Sequence, residues 1–402
     1  MHQLARRPSA TRATRASYAL LFVFGLSVGL PGPAVPSLQA EYGLSYAGAA
    51  LHLTLFSAGS AIGSMVDDRL GRRTSRVALV RVVLLGTIAG AALCGMAPTA
   101  TVSLLGITLM GFCATIAMNV AHGVIGAEHG DDRGTFLVTA HLFAAGGLVS
   151  AAAVISGARA VGEWRLAFVA PVAVIAVQLI SRIPLRLPTR RPGPRSPTSR
   201  TAPAPPAVRI GGLVLALAVT VEWAVMFWAA SFLRDPVGLA PGYADIATVG
   251  VLATMVIGRW GLSRLTRRYG AVTLLRLAFM VTVAVSLPYL SGPQLPGISG
   301  LVVPIAALVM LCLLVTTLFP LGLTTTLATA GPSAADQQQA SAVALGISAA
   351  LTIGGPYLLG AAADATSLTT ALLVLPTGAM LALAGIGWMQ RQATQPAHAP
   401  PS

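Results

Sequence analysis

Residues 188–208 read Pro188-Thr189-Arg190-Arg191-Pro192-Gly193-Pro194-Arg195-Ser196-Pro197-Thr198-Ser199-Arg200-Thr201-Ala202-Pro203-Ala204-Pro205-Pro206-Ala207-Val208. Proline, serine and arginine dominate, and nothing in the stretch can build a core. It reads as a flexible or polyproline-like linker. Six long apolar runs lie on each side of it. A helix crossing a bilayer needs roughly 20 mainly apolar residues, and these runs supply them: 17–37, 46–66, 77–97, 100–124, 135–157, 165–187, 209–232, 243–262, 272–291, 299–327, 338–361 and 367–389. The tenth is long enough to tilt or to project beyond the bilayer.

Composition agrees with this division. The chain has 402 residues, of which 55% are hydrophobic and 9% charged, with a mean hydropathy of +0.77. Soluble domains carry about 25% charged residues. A deficit this large, spread over the whole length, cannot come from a single anchor. The fold class expected is therefore an all-α membrane protein of twelve transmembrane helices.

The net charge is +14, and all 26 basic residues are arginine. They cluster between apolar runs, which is the pattern of topology signals and not of a nucleic-acid surface. With the N-terminus inside, only Arg159, Arg165 and Arg234 fall on the outer side, as cytoplasmic loops retaining positive charge require. The even span count brings the C-terminus inside too. The absence of lysine suggests a GC-rich bacterial genome, and hence the bacterial cytoplasmic (inner) membrane. Arg6, Arg7, Arg12 and Arg15 before the first run raise a signal peptide. Leu30-Pro31-Gly32-Pro33 is a poor cleavage context, however, and many spans follow. Cys94, Cys113 and Cys312 each lie in an apolar run, with no spacing suited to a metal or a disulfide framework.

The organisation expected is a cytoplasmic tail (1–16), a six-helix bundle (17–187), the cytoplasmic linker (188–208), a second six-helix bundle (209–390) and a cytoplasmic tail (391–402). The halves echo each other. Gly63-Ser64-Met65-Val66-Asp67-Asp68-Arg69-Leu70-Gly71-Arg72-Arg73 joins spans 2 and 3, and Gly261-Leu262-Ser263-Arg264-Leu265-Thr266-Arg267-Arg268-Tyr269-Gly270 joins spans 8 and 9. Each is basic, ends near a glycine and sits at the same place in its half. Duplicated halves around a midplane site are a common transporter plan.

The first of these segments resembles the signature loop of the major facilitator superfamily. Aligned on Gly71, Asp68 takes the aspartate position, Arg69 the first basic position, and Arg72 and Arg73 the final pair. Gly162-Glu163-Trp164-Arg165-Leu166-Ala167-Phe168 resembles that family's entry into span 6. The resemblance implies two pseudo-symmetric six-helix bundles, alternating access, and a gate in which Asp68, Arg69, Arg72 and Arg73 lock the cytoplasmic side. The same residues also serve as ordinary topology charges. The family's drug-antiporter signatures are incomplete, since no arginine precedes Gly111 in span 4 and span 5 has no Gly-Pro pair.

Glu222 lies near the middle of span 7, in Val219-Thr220-Val221-Glu222-Trp223-Ala224. A charge at the bilayer centre costs on the order of 3 kcal/mol on insertion scales, so the helix is expected to turn it toward a cavity. Desolvation disfavours the charged carboxylate, and such a group can carry a proton between faces. Glu222 is therefore the proton-coupling candidate; its structural alternative is a hydrogen bond to span 1 or span 11. Trp223, Phe227 and Trp228 recur around it at helical spacing and suit a moderately apolar or aromatic substrate. His52, Asn119 and His141 are further substrate-cavity candidates, with His122 close to Asn119. Arg81 and Arg276 read as snorkelling side chains.

No nucleotide-binding motif is present. The leading expectation is a secondary transporter of a small organic molecule, proton-coupled and working as an exporter of a drug or metabolite. It would be monomeric and without cofactor, metal, enzymatic activity or nucleic-acid partner. Uptake of a sugar or organic acid is the second transport reading. A membrane sensor or enzyme is the alternative from another class.

Overall fold

The computed structural model describes residues 10–130, 133–181, 205–266, 268–330 and 333–394. The linker expected over 188–208 thus lies almost entirely outside the described residues, as do most of the two tails. Among the described residues there are helices and no strands. In chain order they are α1 Arg12–Gly29, α2 Pro31–Tyr42, α3 Tyr46–Arg73, α4 Arg76–Gly95, α5 Ala100–His129, α6 Arg133–Ala160, α7 Val169–Ile180 and α8 Pro206–Arg234. There follow α9 Pro241–Leu265, α10 Ala271–Ser291, α11 Ser299–Val315, α12 Leu318–Leu327, α13 Ala334–Thr352, α14 Gly355–Ala365, α15 Leu368–Ala371 and α16 Val374–Thr394.

Eleven of the resulting helical segments are long and apolar enough to cross a membrane. The twelfth, expected at 165–187, is the shorter apolar segment Trp164–Ile180, a 3₁₀ turn running into α7. Its expected end lies beyond the described residues.

Helix starts follow local chemistry. Thr11, Ser75, Ser333 and Ser367 each accept a backbone N–H from the first turn of α1, α4, α13 and α15, satisfying donors that hydrocarbon would leave orphaned. Within the helices, buried hydroxyls such as Ser17, Ser27, Thr87 and Thr282 donate to the carbonyl four residues earlier.

Breaks fall where the sequence cannot continue the ladder. Span 1 breaks at Leu30, in the Gly29–Pro33 cluster, and span 11 breaks after Thr352, at Gly354-Gly355-Pro356. Span 10 breaks at Thr316–Thr317. Pro320 has no N–H to return to the Thr316 carbonyl, so the turn opens there. The basic segment Gly63–Arg73 is helical, because α3 runs to Arg73 and only Thr74 and Ser75 connect it to α4. In the same way, Gly261–Leu265 is the last turn of α9.

The chain forms two compact units. Unit 1 comprises residues up to Leu30 and Leu55–Gly193; unit 2 comprises Pro31–Thr54 and Pro194 onward. α1 therefore belongs to unit 1 and α2 to unit 2, while α3 passes from unit 2 into unit 1 between Thr54 and Leu55. In unit 1, α1 packs on α6 so closely that a Cβ on Gly25 would strike the Ala144 carbonyl. Small residues at such crossings let backbones approach in lipid. The unit 1 core gathers Leu20, Leu21, Val80, Leu84, Ile116 and Ile175.

In unit 2, α8 is the hub, packed by α2, α9, α11, α12, α13, α14 and α16. Its apolar window is 72% buried, against 28–39% for the windows around α9, α10, α13 and α16, so it has less surface left for lipid than they have. The start of α3 also docks in unit 2. Asp364 near the end of α14 accepts the Tyr46 and Ala47 amides at 2.7 and 2.9 Å, and Asp235 accepts the Tyr46 hydroxyl at 2.5 Å. Asp364 thus does for α3 what a capping serine does elsewhere, from 318 residues away. Asp364→Ala is expected to cost about 1 kcal/mol, the usual worth of an N-cap. Thermal unfolding of the purified protein will show a lowered Tm; an unchanged Tm would remove the cap from the account.

Candidate functional site in unit 2

The site is built on α8. Glu222 is 7% exposed, and its Oε1 accepts from Nη2 of Arg259 on α9 at 3.2 Å. Nε of Arg259 donates in turn to the Thr316 hydroxyl at 2.5 Å, at the break between α11 and α12. Thr316 is fully buried. Three helices thus converge on one charge-neutral cluster. A buried carboxylate without a counter-charge is very costly, and the planar guanidinium offers several donors in fixed geometry.

Neither Arg259 nor Thr316 stands out in the sequence. Arg259 stands three residues before the end of run 243–262, where it reads as one more cytoplasmic-end arginine. The available signal was that an acid in mid-span needs a partner. The structural alternative placed that partner on span 1 or span 11, and it comes from span 8.

Glu222 does not face the aromatic cavity. That cavity, of about 20 Å³, is walled by Thr220, Trp223, Ala224, Phe227 and Trp228 of α8 and by residues from Thr352 to Leu359 at the α13–α14 break. Neighbouring positions on a helix point about 100° apart, so Trp223 meets the cavity while Glu222 turns toward α9. All three aromatic candidates, Trp223, Phe227 and Trp228, therefore come together on one wall. The Trp223 and Phe227 rings are tilted with centroids 5.4 Å apart, and Trp228 meets Tyr46 at 5.7 Å. The two cavity hydroxyls are already committed as donors, Thr220 to the Ala216 carbonyl and Thr352 to the Ser348 carbonyl. They present only lone pairs to the space between them. A volume of this size holds about one water, too little for an organic molecule.

The remaining candidates stand elsewhere. His52, on the part of α3 that belongs to unit 2, is 2% exposed and its Nδ1 contacts the Ala49 carbonyl at 3.2 Å. Asn119 and His141 belong to unit 1. Asn119 donates to the Ser64 hydroxyl at 3.4 Å, joining α5 to α3. His141 on α6 packs against His122 on α5, with ring centroids 5.1 Å apart. Among the described residues, no group of histidine, cysteine or acidic side chains could hold a metal ion.

The sequence matches the family model described as Major Facilitator Superfamily over residues 18–345. The chain belongs to this superfamily. It is a multi-pass membrane protein with the superfamily's transporter fold. A solved bacterial homologue of the human lysosomal transporter Spinster, inward-facing and occupied, superposes with a TM-score of 0.75 at 15% identity, covering 96% of this chain and 98% of that one. A point mutant of the nucleoside transporter NupG gives 0.75 at 13% identity, covering 94% of this chain and 100% of that one. The unoccupied Spinster homologue gives 0.67 at 16% identity, covering 96% of each chain. No curated protein sequence matches significantly. The segment Asp68–Arg73, which resembles the superfamily's signature loop, forms the last turns of α3. Arg69 and Arg73 are exposed there, and the side chains of Asp68 and Arg72 lie outside the described residues.

Arg259→Met strands the buried Glu222 carboxylate, and because Arg259 is itself partly exposed the change should cost about 1–3 kcal/mol, the usual penalty for a buried group left without its partner. Glu222→Met with Arg259→Met should recover most of that loss, because an apolar pair needs no counter-charge. Melting curves of the two variants decide this; a double variant as unstable as the single one would refute the pairing.

Proposed function

We propose that this chain is a proton-coupled secondary transporter that exports a small flat, apolar or cationic organic molecule by alternating access. The bacterial cytoplasmic membrane is the proposed location, with both termini inside. The observation that carries the reading is that one helix, α8, presents on two of its faces a buried carboxylate paired with the Arg259 guanidinium of α9 and an aromatic cavity. Protonating Glu222 would cancel its charge and loosen Arg259, so a proton changes the packing of the helix that walls the cavity. Indole faces attract cations, and the committed Thr220 and Thr352 hydroxyls favour a ligand that brings its own donors. Both features suit an amine-bearing aromatic better than a sugar or an organic acid. The signature residues Asp68, Arg69, Arg72 and Arg73 would form the cytoplasmic gate.

Glu222→Gln keeps size and an acceptor for Arg259 but cannot be charged. In proteoliposomes it should abolish transport driven by a pH gradient while leaving substrate-for-substrate exchange active. Gradient dependence equal to the wild type would sink the proton-coupling assignment. Accumulation in whole cells separates export from uptake, since the two move intracellular ligand in opposite directions.

The break at Gly354-Gly355 is the proposed hinge of the cavity. A Cβ on either glycine would meet nothing within 4 Å, so the Gly354→Ala/Gly355→Ala protein should fold normally. Alanine favours continued helix over glycine by about 1 kcal/mol per residue, and turnover should fall several-fold. Wild-type turnover in this folded variant would rule out the hinge.

A further inference from the structure

Unit 1 carries a recess that the transport reading leaves unused. Arg15, Tyr18, Ala19 and Phe22 of α1, Phe143 of α6 and Gln178 of α7 line an open recess of about 410 Å³. Its long wall is aromatic, with the Tyr18 and Phe143 rings stacked at 4.9 Å and 14°. Arg15 stands at one end, exposed and with no carboxylate partner among the described residues. Glu128, at the end of α5, is engaged instead by the Thr11 hydroxyl at 3.0 Å.

Gln178 supplies an independent observation. It is 7% exposed, and its Nε2 donates to the Ala19 carbonyl at 3.0 Å. That bond fixes which way the amide points and leaves Oε1 buried without a donor among the described residues. An orphaned buried acceptor costs about 1–3 kcal/mol. A ligand that brings an O–H to this wall removes the cost.

Depth orders these features. Arg15 is in the first turn of α1, and Phe22 lies seven residues further on, about 10 Å deeper at the helical rise. Charge near the interface with apolar wall below it is the vertical profile of a lipid. We infer that the recess binds one anionic phospholipid. Its phosphate sits on Arg15, an acyl chain runs along Tyr18, Phe22 and Phe143, and a head-group hydroxyl reaches Oε1 of Gln178. Charge complementarity favours this occupant, because Arg6, Arg7, Arg12 and Arg15 precede the first apolar run and each basic residue near an anionic surface contributes about 1 kcal/mol. The inference requires only that these helices span a membrane, and it is independent of proton coupling.

The test uses the full-length protein, delipidated in a neutral detergent. It is titrated with phosphatidylglycerol, with phosphatidylcholine of the same chains, and with inorganic phosphate. Native mass spectrometry counts bound lipid and thermal unfolding reports affinity. One phosphatidylglycerol should bind about tenfold more tightly than phosphatidylcholine, Arg15→Gln should erase that difference, and inorganic phosphate should do nothing. Phe143→Ser, which changes an exposed ring, should weaken phosphatidylglycerol several-fold and serves as the readout if Arg15→Gln does not fold. Equal binding of the two lipids, unchanged phosphatidylglycerol affinity in Arg15→Gln or in Phe143→Ser, or stabilisation by inorganic phosphate alone would each overturn the assignment.

Discussion

Hydrocarbon offers no hydrogen-bond partner, and the architecture follows from that. Each spanning backbone must satisfy its own N–H and C=O groups, and helices do so within a single segment. The same rule governs side chains. Buried serines and threonines donate to the preceding turn of their own helix, and an acid in mid-span must find a partner on another helix. Where the ladder opens at Thr316, the Thr316 hydroxyl is taken up by Arg259. The interruption in span 10 and the ion pair on α8 are therefore parts of one polar cluster.

With hydrophobic burial of little use between helices in lipid, close approach and shape hold the helices of each unit together. Glycines carry much of this. Gly59 and Gly63 of α3 lie against α5, Gly25 and Gly29 of α1 against α6, and Gly258 of α9 against α11. The charge-poor composition that announces a membrane protein thus leaves its specificity to small residues and to a few polar contacts. Asp364 is the longest-range of these, holding the first turn of α3 from the end of α14.

Much of the fold was legible because it depends on one-dimensional properties. Runs of apolar residues mark spans, and clusters such as Gly29–Pro33 and Gly354–Pro356 mark breaks. Boundaries were less legible. The basic segment after span 2 continues α3 to Arg73, since arginine is a good helix former and charge alone does not end a helix. At the site, Glu222 and the three aromatics stood out, being costly or bulky where they lie. Arg259 did not, because the count that assigns arginines to membrane sides makes no distinction between a topology charge and a counter-ion. Only the packing of α9 on α8 makes that distinction.

The cluster and the cavity are joined by covalent geometry more tightly than by any contact. Glu222 and Trp223 are consecutive, so a rotation of α8 that draws the carboxylate from Arg259 swings the indole relative to Pro356 and Leu359. A helix with an open lipid face could absorb such a rotation in the bilayer. α8 has little of one, being packed by α2, α9, α11, α13 and α16. Gly32 of α2 lies directly against Phe227, and Gly212 and Gly385 bring α13 and α16 against the first turns of α8. Movement is then transmitted to these neighbours as rigid displacement, because close-packed interiors shift between discrete arrangements and do not deform continuously. The turns open at Thr316 and at Ile353–Gly354, so under the proposed mechanism these are the points at which the surrounding helices would give way.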